Sequence, residues 1–207
     1  MTTRSTRRAS LWLAGSLALV ILSACQHAGP SEEQARVAQA FDAWKNAVVN
    51  HQADAAIAYI PRDVDDYLNV LKDPGSAPDP TAIQCPGVNL LLSRALDQKV
   101  APDLRGQLTL STLIQRITDR HLFNPHDLLE ISIGSVSVDG DHASAEAYYD
   151  GTLTAMRIPF LKEDDTWKID VMAILPYAET LMRLDRALKG ESQDHQVDEL
   201  LAKVPTL

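Results

Sequence analysis

The first part of the chain beyond residue 30 carries apolar side chains at helical spacing. Ser31-Glu32-Glu33-Gln34 has the pattern of a capping box, in which the Ser and Gln side chains bond backbone amides at the start of a helix. Val37, Phe41, Trp44 and Val48 follow at intervals of four, three and four residues, which places them on one helical face. The pattern predicts an amphipathic helix that runs to about residue 50.

Four shorter helical segments are predicted between this helix and residue 122. Asp54 can cap the first of them, and Pro61 ends it. Residues 73–86 contain four prolines, which predicts a loop between the second and third segments. The four segments are Ala55–Tyr59, Val64–Leu71, Val88–Leu96 and Leu110–Leu122.

After residue 128 the chain is rich in β-branched and aromatic residues, which are typical of strands. Asp139-Gly140 and Asp150-Gly151 separate the first three segments, and Asp-Gly is a preferred pair in two-residue type I′ hairpin turns. The third turn, Lys162–Thr166, has no glycine. The pattern predicts a four-stranded antiparallel meander with strands at Leu129–Val138, Ala143–Asp150, Thr152–Leu161 and Trp167–Leu175.

The two Asp-Gly turns predict a register in which Val136 lies opposite Ala143 and Ala145 lies opposite Met156. A β-bulge near Gly134-Ser135 would bring the isoleucines of the first strand onto the same face. A slip in the third turn would bring the apolar residues of the fourth strand there as well. This inner face then collects Val136, Val138, Ala143, Ala145, Ala147, Met156, Ile158, Phe160, Trp167, Ile169 and Val171.

Helical spacing returns after the fourth strand, where Tyr177, Leu181, Leu184 and Leu188 form one apolar stripe. A shorter helix is predicted near residue 197. The whole pattern indicates an α+β fold, with N-terminal helices before a curved sheet and a C-terminal helix after it. We predict a single globular domain at residues 31–207, divided into helices at 31–127, a sheet at 128–175 and C-terminal helices at 176–204.

The N-terminus has the composition of a secretory signal peptide, predicted at residues 1–24. Arg4, Arg7 and Arg8 precede the apolar run Leu11–Leu22. This run is too short for a membrane-spanning helix, which needs about 20 apolar residues. Arg7-Arg8 leaves twin-arginine export open, but Ser10 stands where a large apolar residue would be expected, which favours general secretion.

Leu22-Ser23-Ala24-Cys25 closes this segment and resembles the lipobox of bacterial lipoproteins. The resemblance implies cleavage between Ala24 and Cys25, a diacylglyceryl group on the Cys25 sulfur and acylation of the new N-terminus. Several acyl chains anchor a protein firmly, whereas one chain binds only marginally. Gln26 stands where the resemblance would place Asp for inner-membrane retention, which favours the periplasmic face of the outer membrane. Residues 25–30 then form a short tether; the alternative is an ordinary signal peptide that happens to contain a cysteine.

The net charge of the chain excludes some classes of binding partner. The chain has 28 acidic and 19 basic residues, a net charge of −9. Loss of the arginines in the signal peptide makes the mature chain more acidic still, which argues against nucleic acid and against adhesion to anionic headgroups.

Cys85 is the remaining thiol once Cys25 is lipidated, so an internal disulfide is excluded. Cys85 is either buried and inert or a reactive thiol.

Four segments resemble the nuclear-transport-factor-2-like (SnoaL-like) superfamily: the helix around Trp44, the turn Asn50–Asp54, Val136–Ala143 and Leu161–Ile169. The resemblance implies a curved antiparallel sheet wrapped round a long helix, a cone with an apolar cavity. Residues 62–128 are longer than the middle of that fold, and the helix after the last strand is an addition. Either could fill or cover the mouth of the cavity.

The concave face of the sheet carries three small side chains, which determine the space available on it: Ala143, Ala145 and Ala147. Their small side chains either let the first helix pack closely or leave a cavity for a ligand. Glu146 and Arg157, predicted to lie diagonally across neighbouring strands, form either an outer-face ion pair or a pair that orients a polar ligand. A ligand pocket would be lined by Trp44, Ala145, Tyr148, Met156, Arg157 and Trp167.

The sequence contains no His-Glu-x-x-His, no Gly-x-Ser-x-Gly elbow, no phosphate loop and no Cys-x-x-Cys. His121 and His126 are five residues apart, a spacing that does not place two ligands on one helical face, so no metal site is predicted. The superfamily's enzymes often carry a carboxylate on their strands, which makes Asp170 and Glu146 the candidate catalytic residues. We expect a non-catalytic binding or accessory module for an envelope protein or a small apolar ligand, without a cofactor. The alternative is an isomerase or dehydratase that uses a carboxylate in the cone.

Overall fold

The structure is a computed structural model that describes residues 30–72, 85–119 and 125–204. The predicted signal peptide and lipobox, most of the predicted proline-rich loop and His121 lie outside the described residues, as does the side chain of His126. The chain divides into two units, residues 1–32 and 33–207. The contacts that follow all lie within the second unit.

The predicted α+β fold is confirmed: helices precede and follow a four-stranded antiparallel sheet. Two short helices were not predicted, and each begins at a proline, the residue preferred at the first helical position. The helices are α1 Glu32–Val49, α2 Ala53–Ile57, α3 Asp63–Lys72, α4 Pro86–Lys99, α5 Pro102–Arg105, α6 Leu110–Asp119, α7 Pro125–Glu130, α8 Val171–Lys189 and α9 Gln193–Ala202. The strands are β1 Ile131–Asp139, β2 His142–Tyr149, β3 Thr152–Glu163 and β4 Thr166–Ile169.

The first hairpin turn lies one residue later than predicted. Val136 pairs with Ala145 instead of Ala143, and the loop residues are Gly140 and Asp141. Gly140 has φ +59° at the first loop position, which is typical of a type II′ turn rather than type I′. The register therefore moves by two residues, an even step that keeps the predicted residues on the inner face.

The second turn is Asp150-Gly151, as predicted, and both residues have positive φ. Ala145 nevertheless pairs with Ile158 and not with Met156, because β3 contains two extra residues beyond the turn. Thr154 lies in this irregular stretch and donates its hydroxyl hydrogen to the Ala147 carbonyl at 2.9 Å. That hydrogen bond replaces part of the interrupted ladder between the two strands.

The predicted β-bulge in β1 is confirmed, since the register shifts between Ile133 and Val136. Gly134 lies within this bulge and faces the Tyr148 ring. A Cβ atom at Gly134 would lie 2.5 Å from Cε2 of Tyr148. Glycine is therefore required here, because the ring of the neighbouring strand occupies the space of a side chain.

The third turn is Asp164-Asp165, and both residues adopt left-handed backbone with φ +50° and +59°. Aspartate tolerates this conformation better than most residues. Arg62 forms an ion pair with Asp164, and Lys162 Nζ lies 3.0 Å from Asp165 Oδ1. The turn therefore forms without glycine and brings the inner residues of β4 to the same face as those of β3.

The last strand ends at Ile169, six residues earlier than predicted. Asp170 accepts a hydrogen bond from the backbone amide of Ala173 at 2.9 Å and caps α8, which begins at Val171. This N-cap overrides the strand preference of the apolar residues that follow. Pro176, the predicted first residue of the helix, lies inside it.

Two apolar clusters form the core, and Trp44 packs against both. The first joins the inner face of the sheet to α1 and contains Val37, Ala40, Phe41, Ala143, Ala145, Ala147, Ile158, Phe160, Trp167 and Ile169. The second lies among the helices and contains Ile60, Val64, Leu68, Leu96, Val100, Leu108 and Leu110. Among the described helices, none combines the length and apolar character needed to cross a membrane.

Candidate functional site

The inner face of the sheet is packed against α1. Ala145 is fully buried and Trp167 is 2 % exposed, and Trp44 and Met156 pack against the same cluster, partly buried. Phe41 of α1 belongs to that cluster and is 2 % exposed. The alanines of β2 therefore allow the close approach of α1, which is the first of the two interpretations of the alanine run.

Tyr148 and Arg157, the other two predicted pocket residues, lie on the opposite face of the sheet. Arg157 is directly opposite Glu146, with 3.8 Å between Nη1 and Oε1. Arg157 also donates from Nε to Ser144 Oγ at 3.1 Å, and Glu146 accepts from the Ser135 amide at 3.3 Å. The predicted pair is thus an outer-face ion pair in contact with solvent, and the six predicted residues do not line one space.

Asp170 serves as a helix cap in this structure. Its carboxylate accepts the Ala173 amide and lies near Asp63, whose pKa is raised first by burial and then by the Asp170 charge. Glu146 lies on the outer face of the sheet, and Asp170 lies at the start of α8. A carboxylate inside an apolar cavity, which the isomerase or dehydratase alternative requires, is thus not formed by either residue.

A polar junction closes one edge of the packed sheet. The Trp167 indole donates from Nε1 to Glu33 Oε2 at 2.8 Å, and Lys162 Nζ lies 3.2 Å from the same oxygen. The Trp167 hydrogen bond, followed by Lys162, lowers the pKa of Glu33. Hydrogen bonds and charge from Asp165 and Glu33 raise the pKa of Lys162. These contacts hold the start of α1 against β3 and β4.

An open polar groove of about 510 Å³ lies between the start of α2 and the start of α6. Ser111 donates to Asp54 at 2.6 Å, and Gln115 donates to Asp119 at 2.7 Å. These four side chains thus satisfy one another in pairs. No sequence pattern predicts this groove, because its two segments meet only through helix packing. It is lined by His51, Gln52, Ala53, Asp54, Ala55, Ser111, Thr112 and Gln115.

The α8 stripe, defined as Tyr177, Leu181, Leu184 and Leu188, is the principal apolar feature of the described surface. These side chains are 39, 48, 55 and 80 % exposed. They account for four of the seven exposed large apolar side chains in the described residues. An apolar stripe at this spacing normally packs into a core, which makes its exposure on α8 unusual.

The opposite side of α8 is fixed to the neighbouring helices. Glu179 Oε2 accepts hydrogen bonds from the amides of Gly87 and Val88, at 2.7 and 2.9 Å, at the start of α4. Gln196 of α9 donates to the Met182 carbonyl at 3.0 Å. These polar contacts determine which face of α8 is turned outward.

The Cys85 thiol is buried. Cys85 is 1 % exposed, and burial raises the pKa of its thiol, with the Glu179 charge as a smaller cause. A thiol without solvent contact and with a raised pKa is a weak nucleophile. Of the two alternatives for Cys85, the structure has the buried one.

Comparison with protein-family models, with curated proteins and with solved structures finds no match. The function must therefore be argued from the surfaces and side chains themselves, because a fold class alone does not specify an activity.

Proposed function

We propose that this chain is a lipid-anchored protein of the bacterial cell envelope and acts as a non-catalytic binding module for another envelope protein. The observation that carries the binding role is the exposed α8 stripe. The anchor is proposed at Cys25, on the periplasmic face of the outer membrane, from the lipobox-like sequence that ends the signal peptide.

The charge of the chain favours a different protein over a second copy as the partner of the stripe. The four exposed fractions correspond to an apolar patch on the order of 400 Å², within the range of the largest patch on a typical monomer, which is often functional. A stable pair of standard size buries about 800 Å² on each partner. Roughly 57 % of such an area is apolar, so the stripe could supply most of the apolar part for either kind of partner. The net charge of −9 causes repulsion between two copies and therefore favours a different protein.

A partner with an apolar groove fits these properties better. A groove contacts both flanks of the exposed helix, and side chains at spacings of four, three and four are the anchors that such grooves accept. Leu188 would be the deepest anchor, since it is the most exposed residue of the stripe. We expect a basic rim on the partner, complementary to the acidic chain.

The packed interior supports this function over the binding of a small apolar ligand. A ligand site needs a concave apolar cavity of several hundred Å³. In the described residues, the space between α1 and the sheet is filled by side chains such as Phe41 and Phe160, both at most 2 % exposed. The enzymatic alternative lacks a supporting observation, because both candidate carboxylates bind other groups.

Site-specific photo-cross-linking in cells tests the binding role. A photoreactive amino acid at Leu184 should give one discrete cross-linked product that contains a different envelope protein. The same group at Ala155, an exposed residue of β3, serves as the control and should not give that product. Cross-linking to a second copy, to lipid alone, or equally from both positions would contradict the proposal.

Metabolic labelling with a fatty acid tests the anchor separately. The wild-type chain should take up label and sediment with membranes, whereas Cys25→Ser should remain unlabelled. Firm membrane association of a correctly cleaved but unlabelled chain would contradict a lipid anchor.

A further inference from the structure

Three side chains with metal-binding groups converge where α8 ends and α9 begins. Glu191, His195 and Glu199 each direct one ligand atom to a common region, and these atoms lie within 4.8 Å of one another. None of the three belongs to the α8 stripe, so this cluster is a feature independent of the proposed binding surface.

Local structure explains why these residues meet. Gly190 ends α8 in left-handed backbone with φ +70°, which turns the chain back so that Glu191 precedes α9. Ser192 caps α9 by accepting the His195 amide. His195 and Glu199 are four residues apart in α9, a spacing that places both side chains on one face.

Glu191 is partly buried, and one of its two carboxylate oxygens lacks the partner that burial normally requires. Glu191 Oε2 is buried and has no hydrogen-bond partner. A buried carboxylate oxygen without a donor is strongly unfavourable, and a cation satisfies it directly. His195 Nε2 lies 3.7 Å from Glu199 Oε1, too far for a hydrogen bond between them.

We propose that Glu191, His195 and Glu199 bind a divalent transition-metal ion, with Zn²⁺ as the best fit. Imidazole is a preferred ligand of Zn²⁺ and of other transition metals, whereas Mg²⁺ and Ca²⁺ favour oxygen ligands. One imidazole and two carboxylates supply three protein ligands, and water completes the tetrahedral set. Zn²⁺ ligands lie about 2.0–2.2 Å from the ion, so the exposed His195 and Glu199 side chains would move inward on binding.

The nearest cation has another carboxylate partner. Lys189 Nζ lies 3.1 Å from Asp185 Oδ2 and 4.0 Å from Glu199 Oε2. Lys189 therefore pairs more closely with Asp185 than with Glu199, and a metal ion would replace its weaker contact with Glu199. A bound ion would tie the end of α8 to α9 and stabilise the corner beside the most exposed part of α8.

Metal binding to the full-length chain, purified from membranes in detergent and treated with a chelator, tests this inference. Zn²⁺ should bind one ion per chain at micromolar concentration or tighter and raise Tm by roughly 5 °C or more at saturation. X-ray absorption should show nitrogen and oxygen ligands, with an imidazole and without sulfur. That ligand set would distinguish this site from Zn²⁺ binding by Cys85, which would supply a sulfur ligand.

Three variants complete the test. His195→Ala and Glu191→Gln should each weaken Zn²⁺ affinity by at least about tenfold. His142→Ala removes an exposed histidine of β2 outside the cluster and should bind Zn²⁺ as the wild type does. Circular dichroism confirms that each variant is folded. Unchanged affinity in folded His195→Ala, sulfur ligands, or binding that requires millimolar Zn²⁺ would overturn the proposal.

Discussion

Replacement of Phe41 by Ala tests whether α1 fills the inner face of the sheet. Phe41 is 2 % exposed, so the substitution removes a fully buried ring worth about 1.5–3 kcal/mol of transfer free energy. A residual cavity on the order of 100 Å³ adds about 2 kcal/mol. We therefore expect the free energy of unfolding to fall by about 3–5 kcal/mol.

Contacts of the ring support the upper part of that range. The Phe41 and Trp44 ring centroids are 6.1 Å apart, and Lys45 Nζ lies 5.5 Å from the Phe41 centroid. An aromatic pair of this kind contributes about 0.5–1.5 kcal/mol. A total loss of this size is a large fraction of the stability of an ordinary domain, which is about 5–15 kcal/mol.

Urea denaturation followed by tryptophan fluorescence and by circular dichroism measures the loss. Asp42→Ala, on the exposed side of the same helix, is the matched control and should change the stability by no more than about 0.5 kcal/mol. A loss below about 1 kcal/mol for Phe41→Ala would mean that the interior is loosely filled. The space between α1 and the sheet could then hold a ligand.

Three further predictions follow from the fold. Gly134→Ala should lower the free energy of unfolding by about 1–3 kcal/mol because its methyl group overlaps the Tyr148 ring, and Tyr148→Ala should recover most of that loss; additive effects in urea denaturation would contradict this contact. Cys85 should react with a maleimide only after unfolding, and rapid labelling of the native protein would show that it is not buried. The pKa of Glu33 is lowered by Trp167, so Glu33 stabilises the fold above its unfolded pKa of about 4.3 and loses that contribution as pH falls through the lower folded value. Glu33→Gln should therefore flatten the decrease in stability below about pH 4, and an unchanged pH profile would contradict the assigned contact.

Local signals predicted much of the fold correctly. The four-three-four spacing of α1 placed Phe41 in the core, and period-two alternation identified the buried residues of β2 and β3. Asp150-Gly151 formed the predicted hairpin turn, and Gly134-Ser135 the predicted bulge. In each case a short stretch of chain contains the physical cause of its own conformation.

Predictions that depended on competition between elements were wrong or incomplete. The apolar residues after Ile169 favour a strand, but Asp170 as N-cap begins a helix there. Two extra residues in β3 changed the partner of Ala145, although the adjacent turn was correct. The exposed side of α8 could not be predicted, since it depends on hydrogen bonds between Glu179 and the distant start of α4.

The candidate site was less predictable than the fold for the same reason. An apolar stripe in a sequence predicts an amphipathic helix, but not whether the stripe faces the core or a partner. The cluster at Glu191, His195 and Glu199 depends on the turn between two helices. A helical spacing rule would have found His195 and Glu199 but not the buried oxygen of Glu191.

The double substitution Leu181→Gln and Leu184→Gln tests the central claim, that the α8 stripe binds another protein, most directly. Glutamine keeps helix propensity, and the stripe is outside the core, so the free energy of unfolding should change by no more than about 1 kcal/mol. In membranes solubilised with mild detergent, the variant should migrate as the free chain, whereas the wild type migrates as a larger complex. A complex of unchanged size, or a loss of several kcal/mol of stability, would contradict the claim.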